Sequence, residues 1–430
     1  MAEAAASLTA RILDAVAAGF GDQVAFLEEL IACPSLRGRE QTAQDAMARA
    51  FRARGYATAI WPIDLDAIRD HPGFSPATID YADALNVVAT HRPRAETGRS
   101  LILNGHIDVV PEGPAALWTS PPFRPRREGD WLYGRGSGDM KAGLTANLFA
   151  LDALRRIGFQ PAATVHLQSV VEEECTGNGA LACMARGYKA DAALIPEPQD
   201  EKLVRANCGV LWFRIRVAGK PVHVREAGAG ANAIEASFRV IAALRALEAE
   251  WNARKTAHPH FADLDHPINF NVGRIEGGDW ASSVPAWCAI DCRIAIYPGE
   301  RPADAAREIE AAVARAARDD TFLSNTPPQI EWNGFFAEGY VLEEGSEAEA
   351  ALGRAHLAAM SRPLESAVTP GYLDARVFAI YQDTPCLVYG PVLQNIHGFD
   401  ERVSLSSLRR VTGAIALFIA DWCGLEPVSG

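Results

Sequence analysis

From about Gln23 to Gly55 the chain alternates apolar and polar positions at helical spacing, interrupted by Cys33-Pro34-Ser35. This predicts two helices, the second closed by Gly55 as a C-cap. Three short apolar runs follow at wide intervals: Leu101-Ile102-Leu103, Ala163-Thr164-Val165-His166-Leu167 and Ala192-Ala193-Leu194-Ile195. A fourth, Cys386-Leu387-Val388-Tyr389, comes near the C-terminus. Turn residues bound each run, and a long helical pattern from Ala142 to Ile157 lies between two of them. Such alternation predicts an α/β fold with a mostly parallel central sheet flanked by helices.

Between Gly209 and Phe335 the rhythm changes. Leu211 to Val217 alternates like a strand, Asn232 to Trp251 is helical, and Ile268 to Ile275 and Ala286 to Ile296 read as two more strands. Pro302 to Arg318 is helical again, and Gln329 to Trp332 closes the series. The order βαββαβ predicts a small ferredoxin-like α+β module with an antiparallel sheet. Sheet-and-helix alternation resumes after it, so the module reads as an insertion: 1–208 and 336–430 form one domain, and 209–335 a second. No internal repeat, low-complexity tract or flexible linker interrupts the chain.

Length supports two cores, since 430 residues exceed what one ordinary hydrophobic core holds. An apolar fraction of 49% with 22% charged residues is that of a globular protein. A net charge of −13 argues against a nucleic-acid surface, which needs a basic stripe. The eight cysteines are scattered without a C-x-x-C pair, which suits reduced thiols in a cytoplasm. Acidic residues come early and no apolar h-region follows, so a secretory signal is not expected. Nor is any window of about 20 residues apolar enough to span a bilayer. The expectation is a cytoplasmic protein with neither a nucleic-acid nor a membrane partner.

The chemistry lies just beyond the apolar runs. Gly105-His106-Ile107-Asp108 follows the first, Glu172-Glu173-Glu174 the second and Pro196-Glu197-Pro198 the third, while Asn395-Ile396-His397 lies farther beyond the fourth. The turn Gly134-Arg135-Gly136-Ser137-Gly138-Asp139-Met140-Lys141 adds another carboxylate. In open α/β sheets ligands bind beyond the carboxyl ends of the strands, so these side chains can converge. At strand spacing His106 and Asp108 point the same way, so Asp108 can hold one imidazole nitrogen while the other binds metal. Consecutive carboxylates at a strand end can divide the work, one holding metal and its neighbour taking a proton from water. Taken singly, each piece has a bland alternative: Asp139 as a helix N-cap, the three glutamates as a solvated run, His397 as a surface histidine. A phosphate loop is excluded, because G-x-x-x-x-G-K-[ST] is missing.

These pieces, in this order, resemble the co-catalytic metallopeptidases and deacylases that include acetylornithine deacetylase, succinyl-diaminopimelate desuccinylase, aminoacylase and glutamate carboxypeptidase. The resemblance extends over nearly the whole chain, including the insertion. It implies two divalent metal ions, zinc first and cobalt or manganese as alternatives, bridged by Asp139. His106 and Glu197 would complete one site, Glu174 and His397 the other. Glu173 would be the general base and Asp108 the partner of His106. The insertion would mediate homodimerisation and close over the site. His223, in Gly219-Lys220-Pro221-Val222-His223, matches the histidine that reaches across the dimer to steady the oxyanion. Arg293 matches an arginine that grips a substrate carboxylate, a task suited to a guanidinium fork.

Two segments depart from the family pattern. Ser282-Ser283-Val284-Pro285 replaces Asn-Val-Val-Pro, and Gly371-Tyr372-Leu373-Asp374-Ala375-Arg376 replaces Gly-Gly-Thr-Asp-Ala-Arg. Ser282, Gly371 and Tyr372 are therefore candidate substrate contacts, and the added bulk points to a substrate unlike the named ones. The resemblance implies a two-metal amidohydrolase acting on an N-acyl amino acid or similar small carboxylate. A carboxypeptidase or dipeptidase with the same centre is the nearest alternative, and a non-catalytic binding protein on the same scaffold the more remote one.

Overall fold

The computed structural model describes residues 2–428. Its first helix begins well before the expected stretch, running Ala2–Ala32. The alanine-rich sequence that precedes Gln23 carries high helix propensity, which a search for amphipathic spacing underweights. After the break at Cys33-Pro34 a second helix runs Gln41–Ala53, and Gly55 follows with φ of 75°.

The central sheet has six strands in the order Ala57–Pro62, Leu85–His91, Val165–Val170, Leu101–His106, Ala192–Ile195 and Cys386–Val388. The last four are mutually parallel, while Leu85–His91 runs antiparallel to both its neighbours. The sheet is thus mixed, with two strands at one edge that the apolar runs did not reveal. Antiparallel pairing needs no crossover helix, so these strands lack the strand–helix rhythm that marks the others. Helices Ala2–Ala32, Ala142–Arg156 and Leu405–Trp422 pack against one another beside this sheet. Ala142–Arg156 buries most of its length, including Leu144, Leu148, Leu151 and Leu154.

A second sheet is wholly antiparallel, in the order Phe270–Gly277, Trp287–Ile296, Gly209–Ala218 and Gln329–Ala337. Helices Ala233–Ala253 and Pro302–Arg318 cover one face. Along Gly209–Ala218, Leu211, Phe213, Ile215 and Val217 enter a core shared with Leu244, Ile290, Ile294 and Ile309. Period-2 alternation sends Trp212 and Arg214 to the opposite face. The closing strand is longer than the Gln329 to Trp332 run, because Gly334 sits inside it and interrupts the apolar pattern.

The chain enters this layer after Leu203–Asn207 and leaves it into Tyr340–Val341. These two strands pair antiparallel, Asn207 opposite Tyr340, and Ser366–Thr369 pairs parallel on the other side of Leu203–Asn207. Among the described residues no helix is long and apolar enough to cross a membrane.

The parallel strands direct their carboxyl ends to one edge, and the loops there are packed tightly. A Cβ on Gly390 would lie 2.1 Å from the carbonyl oxygen of Glu197. Gly390→Ala is therefore expected to destabilise the fold by about 1–3 kcal/mol, as overpacking does, and to displace the Glu197 loop. Chemical denaturation checks the first effect, and a matching loss of metal content checks the second.

Candidate metal centre

His106 ends its strand fully buried. Its Nδ1 lies 2.9 Å from the backbone carbonyl of Asp108, and the Asp108 carboxylate stands farther off, at 3.6 Å. The main chain, rather than the side chain anticipated from strand spacing, makes the closer contact, because the turn after the strand folds that carbonyl under the ring. The Asp108 carboxylate instead accepts the Glu174 N–H at 3.1 Å, fixing the start of the glutamate segment.

The other face of the ring meets carboxylates. Nε2 of His106 is 3.2 Å from Asp139 Oδ1, 3.4 Å from Glu197 and 3.7 Å from Glu173. The second oxygen of Asp139 lies 3.1 Å from Nε2 of His397, which in turn is 3.3 Å from Glu174. Asp139 thus stands between two imidazoles, one oxygen toward each. Two sets, His106 with Glu173 and Glu197 and His106 with Asp139 and Glu174, offer donor atoms within 4.8 Å of one another. His397 alone keeps its side chain about half exposed, at 53%.

Burial raises the carboxyl pKa of Glu173, Glu174 and Glu197, and neighbouring carboxylates add to the rise. Burial lowers that of His106, but Glu173 and Glu197 around the ring carry it well above its usual value. Asp139 moves the other way: burial opposes ionisation, yet hydrogen bonds from both histidines hold its carboxyl well below the ordinary range. Buried Glu197 Oε1 and Asp108 Oδ1 have no hydrogen-bond partner. A nitrogen-and-oxygen donor set, crowded with acids and left with unpaired oxygens, fits divalent cations of the hydrolytic type.

Two acids near the centre have supporting tasks that the sequence did not disclose. Glu172, first of the three glutamates, is turned away with φ of 69°. Arg37 holds it through two contacts at 2.5 and 2.7 Å, Tyr81 donates to it at 2.6 Å and Thr176 at 2.9 Å. Glu401 grips the glycine-rich turn: its carboxylate accepts N–H groups of Gly136 and Gly138 at 3.0 Å and of Asp139 at 3.2 Å. Arg135, also buried, pairs with it at 2.7 Å. Glycines bring those N–H groups close enough for one carboxylate to gather all three. Only the run of glycines hinted at this, since nothing in Asp400-Glu401 marks a distant turn as its partner.

A cavity of about 740 Å³ opens beside the centre, lined by Asp139, Glu173, Glu197 and His397 and by the inner face of the antiparallel sheet. Gly371, Tyr372 and Arg293 line it too. Arg293 donates to the Pro370 carbonyl at 3.2 Å and has no acidic partner among the described residues, and burial lowers its pKa. His223 and Ser282 do not reach this cavity. Both are exposed, on neighbouring loops that meet at the His223–Ser283 bridge. Ser282 lies on the loop at the far end of the sheet, beyond strand Phe270–Gly277.

Residues 102–421 match Peptidase family M20/M25/M40. The chain is 32% identical over 349 residues to N-formyl-4-amino-5-aminomethyl-2-methylpyrimidine deformylase of Bacillus subtilis, covering 75% of this chain and 79% of that one. It is 27% identical over 398 residues to succinyl-diaminopimelate desuccinylase of Methylibium petroleiphilum, covering 90% and 94%. Among solved structures, human carnosine dipeptidase 1 superposes with a TM-score of 0.78 at 13% identity, covering 96% of this chain and 99% of that one. An M20 family metallo-carboxypeptidase from Sulfolobus solfataricus gives 0.72 at 17% identity, covering 93% and 99%.

Removing the Glu401 carboxylate leaves three N–H groups without their acceptor and a buried guanidinium with only long contacts to the Pro111 and His397 carbonyls, at 3.5 and 3.4 Å. Glu401→Ala is expected to lower stability by about 3–5 kcal/mol, measured by urea denaturation. Because the turn carries Asp139, metal content should fall in the same variant even where it remains folded.

Proposed function

We propose that this chain, which belongs to Peptidase family M20/M25/M40, removes an acyl group from a small N-acyl compound at a centre of two divalent metal ions around Asp139. The observation that carries this reading is Asp139 lying between two histidines, with Glu173 beside it and a cavity in front. In this reading Asp139 would serve both ions, with His106 and Glu197 completing one site and Glu174 and His397 the other. Zinc suits these donors, with cobalt or manganese as substitutes. Divalent cations there would polarise the acyl carbonyl and make water acidic enough to give up a proton near neutral pH. Glu173, buried beside His106, accepts that proton and returns it to the departing amine. Asp108 steadies the segment that carries Glu174.

Arg293, a buried guanidinium without an acid of its own, receives a substrate carboxylate. That fits an N-acyl amino acid. The relatives named for deformylation and desuccinylation both release an acyl group from an amine, which supports deacylation. The same arginine would hold the terminal carboxylate of a peptide, so a dipeptidase or carboxypeptidase activity is the second reading. Parallel assays of N-formyl, N-acetyl and N-succinyl amino acids against dipeptides decide between them.

The chain works as a homodimer in this reading, with the 209–335 module as its contact and lid. Exposed Val224, Phe238, Ile275 and Trp280 on that module, and the open edge of strand Phe270–Gly277, support it. His223 and Ser282, remote from their own cavity, would then serve the partner's, with His223 steadying the oxyanion. All eight cysteines are unpaired, which suits a reducing cytoplasm.

Glu173→Gln should keep the metal, read by elemental analysis, while turnover drops roughly a hundred- to ten-thousand-fold. Retained turnover would remove Glu173 from the role of base. Mixing inactive Glu173→Gln and His223→Ala subunits should restore activity, since one site of each mixed dimer regains both groups. If the mixture stays inactive, His223 does not act across the dimer.

A further inference from the structure

The antiparallel sheet has two faces, and the one away from its helices roofs the cavity. Strand register sets Asn271 opposite Arg293 and Arg293 opposite Trp212. Phe335 follows on the next strand, its ring centroid 5.2 Å from that of Trp212 at 88°. Tyr372 comes from the other part of the chain and continues the series, 4.3 Å from Phe335. Trp212, Phe335 and Tyr372 therefore form one aromatic wall, with the unpaired guanidinium of Arg293 a single strand spacing from Trp212.

The wall offers ring surface rather than polar atoms. The Tyr372 hydroxyl is committed elsewhere: it donates to Asp374 at 2.9 Å and accepts from Arg376 at 3.2 Å. Arg376 is itself fixed, pairing with Glu338 at 2.9 Å and donating to the Gly73 carbonyl at 2.8 Å. Gly177, with φ of 72°, makes room for the hydroxyl, since a Cβ there would lie 1.8 Å from it. The Trp212 Nε1 is buried and makes no hydrogen bond, and Phe335 has no polar atom to offer. A wall that merely joined two parts of the chain could be aliphatic. Here three rings line a cavity that also holds Asp139 and Glu173, and a network of four residues locks the outermost ring in place.

We infer that Trp212, Phe335 and Tyr372 form a specificity site for a planar aromatic ring joined by a short link to the scissile amide. This rests on the deacylase reading above and narrows its substrate class to N-acyl compounds bearing an aromatic group. Edge-to-face and offset contacts with such rings favour an aromatic ligand over an aliphatic one of equal size.

The test compares kcat/KM within matched pairs: N-formyl-phenylalanine against N-formyl-leucine for a ring on the amine side, and N-benzoyl-glycine against N-hexanoyl-glycine for a ring on the acyl side. The aromatic member of at least one pair should be favoured roughly tenfold. Equal rates within both pairs overturn the inference while leaving deacylation intact. Absence of turnover with every N-acyl compound, by a metal-loaded enzyme that cleaves dipeptides, overturns the deacylase reading instead. In Phe335→Leu and Trp212→Leu the preference should fall toward one, with the aromatic substrate losing most. If both members of a pair slow equally in these variants, with melting temperature lowered, the rings serve packing alone and the specificity site is refuted.

Discussion

The constraint on which the rest of the structure depends is the burial of several like charges in one small volume. Asp139, Glu173, Glu174 and Glu197 crowd around two imidazoles, and three of these four acids are nearly out of contact with solvent. Carboxylates in such a place repel one another, and all of these but Asp139 resist ionisation. They hold position because rigid backbone places them there. His106 closes a central strand, Glu197 sits between two prolines against Gly390, and the Asp139 turn is drawn tight by Glu401 and Arg135. The surrounding fold reads as a frame that keeps acids together until cations balance them.

That these side chains would gather at one edge was legible in the sequence, because all but Asp139 follow an apolar run and parallel strands end on the same side. The antiparallel module was legible for a similar reason: its strands and helices alternate in a simple order, and Pro302 marks the start of a helix that ends at Arg318. What escaped was whatever depends on pairing between remote segments. Two antiparallel edge strands lacked the crossover helix that flags a parallel one. Glu172 and Glu401 looked like ordinary charged residues. One proved to be held by Arg37 and Tyr81, and the other to gather three backbone N–H groups. Spacing along a chain carries no record of such partners.

The two departures from the family pattern have separate physical meanings. Tyr372 and Leu373 line the cavity and alter its wall directly. The segment around Ser282 alters a loop at the remote end of the sheet, where it touches His223 and nothing of its own cavity. The acidic cluster and most of the aromatic wall thus come from different layers. His106, Glu173, Glu174 and Glu197 follow strands of the mixed sheet and Asp139 and His397 come from loops beside it, whereas Trp212, Phe335 and Arg293 come from the antiparallel one.

The pairing of Leu203–Asn207 with Tyr340–Val341 ties these layers together in an unexpected way. Because the strand that departs and the strand that returns are neighbours in one ladder, the whole excursion between them is closed at its base by backbone hydrogen bonds. The entropic cost of that closure grows only slowly with the length of what the ladder encloses. It also holds Trp212, Phe335 and Arg293 over the cavity that Asp139 lines, where Phe335 meets Tyr372 from the other part of the chain.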